Sequence, residues 1–248
     1  MNNTAKPESQ IARTPAESAR PRTRREGFRW RNPYIDLIQT QAHNLVAPTG
    51  RVFSDDERSD LRARLAPYVD SPGGVLVELG SGMGNHLVAQ ALRSPQAFLV
   101  GFELRFKRLY RSAEKADIAG AKNLLIVQDD ARHLALNFAP GTLKAVFVNF
   151  PDPWSKRKWL KHRLLTDKFV ATFRELLCPG GVLAYKTDQQ QAFEGTLEVL
   201  KADQGLEITK LSYDLHNSEF AKDNLRTEFE SLFVGQKLPI YMVEARKR

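Results

Sequence analysis

A chain of 248 residues with 42% hydrophobic, 9% aromatic and 27% charged side chains suits one globular domain with an extension, and excludes fibrous and wholly disordered classes. One cysteine, Cys178, rules out an intrachain disulfide and a thiolate-cluster zinc site, and no apolar run nears the ~18 residues that span a bilayer. The net charge of +8 is the feature that needs a partner, and its placement matters more than its size.

Residues 1–27 are rich in Pro, Ser, Ala and Arg with almost no large apolar side chain, which predicts a flexible basic arm. Eight cations face three acids over residues 1–31. Aromatic and aliphatic residues return with Phe28, Trp30, Tyr34, Ile35, Leu37 and Ile38, so residues 28–72 are expected to dock on the domain. Within them, 55–69 carries Leu61 and Leu65 at i, i+4 and predicts a short helix ending near Pro67.

From residue 73 to 248 short apolar runs alternate with helical stripes. The predicted strands are 75–79, 98–103, 124–128, 145–150 and 182–187, each the near-continuous run expected of a strand buried on both faces. Between them lie stripes at Leu87, Val88, Ala91 and Leu92, at Phe106, Leu109, Tyr110 and Ala113, at Leu165, Phe169, Val170, Phe173 and Leu177, and at Phe193, Leu197 and Leu200. Alternation of this kind predicts a doubly wound, mostly parallel α/β sheet of Rossmann-like type. Two last runs, 207–213 and 238–244, lack a strong crossover helix between them and predict an antiparallel edge.

Ligands of such sheets bind beyond the carboxyl ends of the strands. The first strand runs into Glu78-Leu79-Gly80-Ser81-Gly82-Met83-Gly84, where Gly80, Gly82 and Gly84 permit a tight turn and a close backbone approach. The turn lacks the Lys-Ser/Thr ending of a phosphate-binding loop. Glu103 ends the second strand about 20 residues on, where a carboxylate can accept both hydroxyls of a ribose. That spacing fits NAD or S-adenosylmethionine equally. Asp129-Asp130 ends the third strand and offers a carboxylate to an adenine amine. Asn149-Phe150-Pro151-Asp152-Pro153-Trp154 ends the fourth and leads into five cations within residues 155–163. Prolines on both sides hold Asp152 in a stiff loop, and an acid beside an aromatic and a cationic run suits a nucleobase held near a phosphate backbone. Lys186-Thr187-Asp188 adds a carboxylate at the fifth strand end. The histidines His86, His133 and His162 lack ligand spacing, and no metal is expected.

These stretches resemble the tRNA (guanine-N7-)-methyltransferase family over roughly residues 75–246. The carriers are ELGSGMG (78–84), GFE (101–103), DDA (129–131), FPDPWSKRK (150–158), KTD (186–188) and RTEFE (226–230). The resemblance implies that Glu78, Glu103, Asp130 and Asp152, with the glycine turn, hold S-adenosylmethionine, and that Asp152 also occupies the catalytic position. It implies substrate contacts at Lys156, Asp188 and the stretch Thr227, Glu228, Phe229 and Glu230, and RNA contacts at Lys158, Trp159, Lys161, His162 and Arg163. Glu228 stands where the family usually has Lys or Arg, and Ser155 where it commonly has His.

The reaction so implied is methyl transfer to N7 of the variable-loop guanosine at tRNA position 46, in the cytoplasm, with tRNA as partner and neither a membrane nor an obligatory protein partner. N7 carries a lone pair and no proton, so positioning and stabilisation of the cationic purine dominate the expected mechanism. Another RNA base methyltransferase of the same fold, a non-catalytic RNA-binding module and a nicotinamide-dependent oxidoreductase are the rival readings.

Overall fold

The computed structural model describes residues 32–152 and 164–248. The basic arm and the cationic segment that contains Trp154, Lys156, Lys158, Trp159, Lys161, His162 and Arg163 lie outside the described residues. A single sheet of eight strands organises the described chain, in the order β1-β4-β3-β2-β5-β6-β8-β7. The strands are β1 (Leu45–Val46), β2 (Val75–Leu79), β3 (Phe98–Phe102), β4 (Leu124–Val127), β5 (Leu143–Asn149), β6 (Leu177–Thr187), β7 (Leu206–Ser212) and β8 (Tyr241–Lys247). β1 through β6 pair in parallel, and β8 runs antiparallel between β6 and β7. The strand order reverses between β2 and β5, so their carboxyl ends form the crevice expected of a doubly wound sheet.

Apolar runs give strands here because both faces are covered. Every residue of β2, β3 and β4 is buried. Helices α3 (Asn85–Arg93) and α4 (Phe106–Ala119) pack Leu87, Val88, Ala91, Leu109 and Ala113 on one face. Helices α2 (Asp55–Val69), α5 (Leu134–Asn137), α6 (Asp167–Leu176) and α7 (Gln190–Ala202) pack Leu61, Leu65, Leu134, Phe173, Phe193 and Leu197 into the core on the other.

Several expectations shift by a few residues, each for a local reason. Leu92, placed in the α3 stripe, is 53% exposed; the helix buries Gln90 instead, whose side chain donates to Ser94. α2 continues through Pro67 to Val69, because a proline in the last turn forfeits one hydrogen bond without needing a break. Leu177 belongs to β6 rather than to the preceding helix. Across β5 the register advances from Leu143 to Ala145 while β6 advances from Leu177 to Val182, so Pro179-Gly180-Gly181 lies in a bulge within the strand.

The docking segment goes further than expected. Besides the short α1 (Tyr34–Gln39), it supplies β1, which extends the sheet beside β4 through Ile126 N–H to Asn44 O and Gln128 N–H to Val46 O. Between β7 and β8, two short 3-10 turns precede α8 (Glu228–Gly235), a helix that reading this connection as polar overlooks although it carries Phe229, Leu232, Phe233 and Val234.

Candidate active site

The strand ends on both sides of the reversal bound one cavity of about 650 Å³. From β2 come Leu79 and Gly80. The ends of β3 and β4 supply Glu103, Arg105, Asp129, Asp130 and Arg132, α4 supplies Arg108, the ends of β5 and β6 supply Asn149 to Asp152 and Asp188, and α8 supplies Phe229 and Phe233.

Gly80 adopts a φ of +71°, and a Cβ built on it meets nothing within 4 Å. The turn therefore opens its backbone to the cavity in a conformation that only glycine adopts without strain. Gly80 and Ser81 both donate their N–H to Phe102 O, which ties the turn to β3. Beneath it Glu78 is buried, with Oε1 accepting from Asn149 Nδ2 at 2.8 Å across the reversal point. Its Oε2 and the Ser81 hydroxyl have no hydrogen-bond partner among the described residues. Neither residue lines the cavity, and the Ser81 hydroxyl packs over Gly101 of β3.

Glu103 is 6% exposed, and its carboxylate organises the neighbouring backbone. Oε1 accepts from the N–H groups of Leu104 (2.8 Å) and Arg105 (2.9 Å), and Oε2 from Gly82 N–H (3.2 Å). Two backbone donors fill Oε1, so the acceptor capacity left for a ligand is that of Oε2.

The two acids after β4 divide their work. Asp129 is buried, accepting from Arg58 and from Asp130 N–H. Asp130 caps the 3-10 turn Ala131–His133 and is gripped by Arg132 through Nε and NH2. Hydrogen bonding to Arg132 holds its carboxyl below the ordinary value of 3.8, so it faces the cavity as an anion.

At the end of β5, Phe150 has a φ of +49° although Pro151 follows it. A residue before proline disfavours helical conformations of either hand, so this one is held by its surroundings. Its N–H donates to Lys186 O, and its ring lies 5.6 Å from that of Phe233. Asp152 beyond it is exposed at the cavity mouth, and Asp188 is half-buried and accepts from Gln189 Nε2.

A family model described as "Putative methyltransferase" matches residues 73–243. The tRNA (guanine-N(7)-)-methyltransferase of Clostridioides difficile is 33% identical over 179 residues, which cover 72% of this chain and 82% of that protein. The chain belongs to the tRNA (guanine-N7-)-methyltransferase family.

A bifunctional glycosyltransferase/methyltransferase of Fusobacterium nucleatum is 31% identical over 183 residues; these make up 74% of this chain but 28% of that longer protein. Among solved structures, the 16S rRNA methyltransferase KamB shares the fold with a TM-score of 0.55 at 18% identity, over 79% of this chain and 94% of its own.

The positions that carry the resemblance to the tRNA (guanine-N7-)-methyltransferases fall into two groups. Gly80, Glu103, Asp130, Asp152, Asp188 and Phe229 line the one cavity. Glu78, Gly82, Gly84, Thr227, Glu228 and Glu230 do not. Gly84 has a φ of +80° at the start of α3, and a Cβ there would come within 2.2 Å of the Ser112 hydroxyl, so its glycine serves α3–α4 packing.

Thr227 caps α8, accepting from Glu230 N–H while Glu230 reaches back to Thr227 N–H. Expected as a substrate contact, Glu230 is instead fully buried. Its Oε2 accepts from Lys186 Nζ at 2.7 Å, Oε1 accepts from Asn224, and His216 Nε2 lies 2.9 Å away. Burial pushes the Lys186 ammonium below its ordinary range. Burial also works to raise Glu230, but the Lys186 charge prevails and holds that carboxyl below 4.5. Asn224 Oδ1, Leu225 O and Glu230 Oε2 together accept all three Lys186 protons, which fits the ammonium form. Glu228 pairs with Lys115 of α4 at 3.2 Å, so the acid at a position usually basic in the family has its own cation.

Arg105, Arg108, Arg132, Asn149 and Phe233 also line the cavity without having been singled out from the sequence. Arg132 was findable two residues after Asp130, and Asn149 as the last strand residue. Phe233 lies one helical turn beyond Phe229 on a helix whose pattern was too short to read.

Proposed function

We propose that this chain transfers a methyl group from S-adenosylmethionine to N7 of the variable-loop guanosine of tRNA, in the cytoplasm. The observation that carries the reading is the convergence of Glu103, Asp130, Asp152 and Asp188, from four strand ends, on the cavity onto which the Gly80 turn opens. When bound, the cofactor supplies a methyl group on a positively charged sulfur.

Gly80 lets the cofactor approach the backbone, Glu103 accepts from its ribose hydroxyls, and Asp130, kept anionic by Arg132, accepts from its adenine amine. The unpaired Oε2 of Glu78 offers an acceptor from beneath the turn. Asp152 and Asp188 accept from guanine N1–H and the 2-amino group, and their negative field favours the cationic purine that methylation leaves. No base is required, since N7 has no proton to lose. Orientation of this kind supplies on the order of 7–11 kcal/mol of a bimolecular barrier. Phe229 and Phe233 give the guanine an apolar flank. Lys156 and the segment 158–163 are assigned the tRNA backbone, and the arm 1–27 an auxiliary electrostatic part.

Unmodified tRNA transcript incubated with methyl-labelled cofactor should accept label. A transcript made with 7-deazaguanosine, which has carbon in place of N7, should accept none; equal labelling of both would overturn the reading.

A further inference from the structure

The family match begins at residue 73, yet a buried cation from before it supports the cavity. Arg58 lies in the first turns of α2, with its side chain only 8% exposed. Its NH1 donates to Asp129 Oδ2 at 2.9 Å and to Asn137 Oδ1 at 3.0 Å, and its guanidinium lies 5.5 Å from the centre of the Phe53 ring. Asp129, whose side chain is 4% exposed, uses its other oxygen for Asp130 N–H at 2.9 Å and His133 Nδ1 at 2.8 Å.

One carboxylate thus stands between the Arg58 guanidinium and the peptide N–H of the residue assigned to the adenine. A buried carboxylate deprived of its cation turns, takes up a proton or admits water, and each of these releases the N–H it was holding. The placement of Arg58 is itself built in. Ser54 and Glu57 form a reciprocal capping box at the start of α2, Glu57 also accepts Thr49 N–H, and Arg58 N–H donates to Ser54 O.

We propose that Arg58 is a positioning residue of the cofactor pocket: by neutralising and orienting Asp129 it sets the 129–133 turn from which Asp130 faces the cavity. The inference rests on the reading that this cavity binds S-adenosylmethionine. It extends the support of the site to α2, before the family match, although Arg58 itself does not line the cavity.

The test is calorimetric binding of S-adenosylhomocysteine by the full chain, beside filter binding of tRNA. A wild-type chain that fails to bind S-adenosylhomocysteine would overturn the cofactor reading and this inference with it. Given wild-type binding, Arg58→Met should weaken S-adenosylhomocysteine at least tenfold and change tRNA affinity less than twofold. Adding Asp129→Asn should recover at least threefold, because a neutral amide no longer needs the cation. Unchanged cofactor affinity in Arg58→Met, or equal losses for cofactor and tRNA, would overturn the role of Arg58 alone. If Arg58→Met lacks a cooperative melt, Arg58→Lys decides. It should bind S-adenosylhomocysteine about three- to tenfold more weakly, and wild-type affinity there would overturn the inference.

Discussion

At the residue scale, the carboxylates of this molecule separate by what surrounds them. Asp152 stands exposed at the cavity mouth, where burial demands no partner for its charge. Asp152→Ala is therefore expected to lower kcat by roughly 10²–10³-fold, the usual cost of one lost transition-state partner, with an unchanged melting temperature. Steady-state rates with tRNA, set beside a thermal melt, check this; wild-type turnover would remove Asp152 from the chemistry.

Glu230 is the opposite case, wholly buried against Lys186. Glu230→Gln strands that ammonium and should cost about 3–5 kcal/mol in denaturant unfolding. Because the folded carboxyl lies below 4.5, its stabilisation is fully present above that pH and is lost as pH falls through the folded value. The variant should consequently show a shallower loss of stability below pH 4.5 than the wild type. Parallel acid limbs would mean that the Lys186–Glu230 pair does not form.

At the element scale, α8 connects the buried ion pair to the cavity. Thr227 and Glu230 cap the helix, while Phe229 and Phe233 on the same helix line the site. Thr227→Ala should destabilise the protein by about 1 kcal/mol and raise KM for tRNA more than it lowers kcat, since the apolar flank loosens while the carboxylates stay in place. A change in kcat alone would contradict that division.

The same helix marks where sequence reasoning stopped. The parallel strands were legible because burial on both faces writes continuous apolar runs, and the strand-end acids because the fold assigns ligands to strand ends. α8 has only eight residues, too few for a periodic stripe; its Thr227-x-x-Glu230 capping box was the readable signal, whereas the ion pair of Glu230 with distant Lys186 leaves none. β1, two residues long, is a strand only because β4 offers it an edge. Gly84 and Glu230 sit in motif stretches beside cavity-lining residues, and only their neighbours Ser112 and Lys186 reveal that one serves helix packing and the other a buried ion pair.

At the scale of the whole molecule, the positive charge is concentrated in two segments, residues 1–31 and 155–163. The segment 155–163 directly follows Asp152 in the chain, whereas the arm precedes the folded region. Lys158→Ala combined with Lys161→Ala should weaken tRNA binding and reduce the slope of log affinity against log salt by roughly 1.4 to 1.8, at 0.7 to 0.9 per lost phosphate contact. Affinity for S-adenosylhomocysteine should stay within twofold. An equal fall in cofactor affinity would place the segment in the cofactor pocket instead.

The position of the transferred methyl group tests the account most directly. Bulk tRNA lacking the modification, incubated with the chain and labelled S-adenosylmethionine, can be cleaved chemically at 7-methylguanosine and the fragments mapped. Cleavage is expected at a single guanosine in the variable loop, lost in Asp152→Ala. Label on an exocyclic amine, or at guanosines outside that loop, would contradict it.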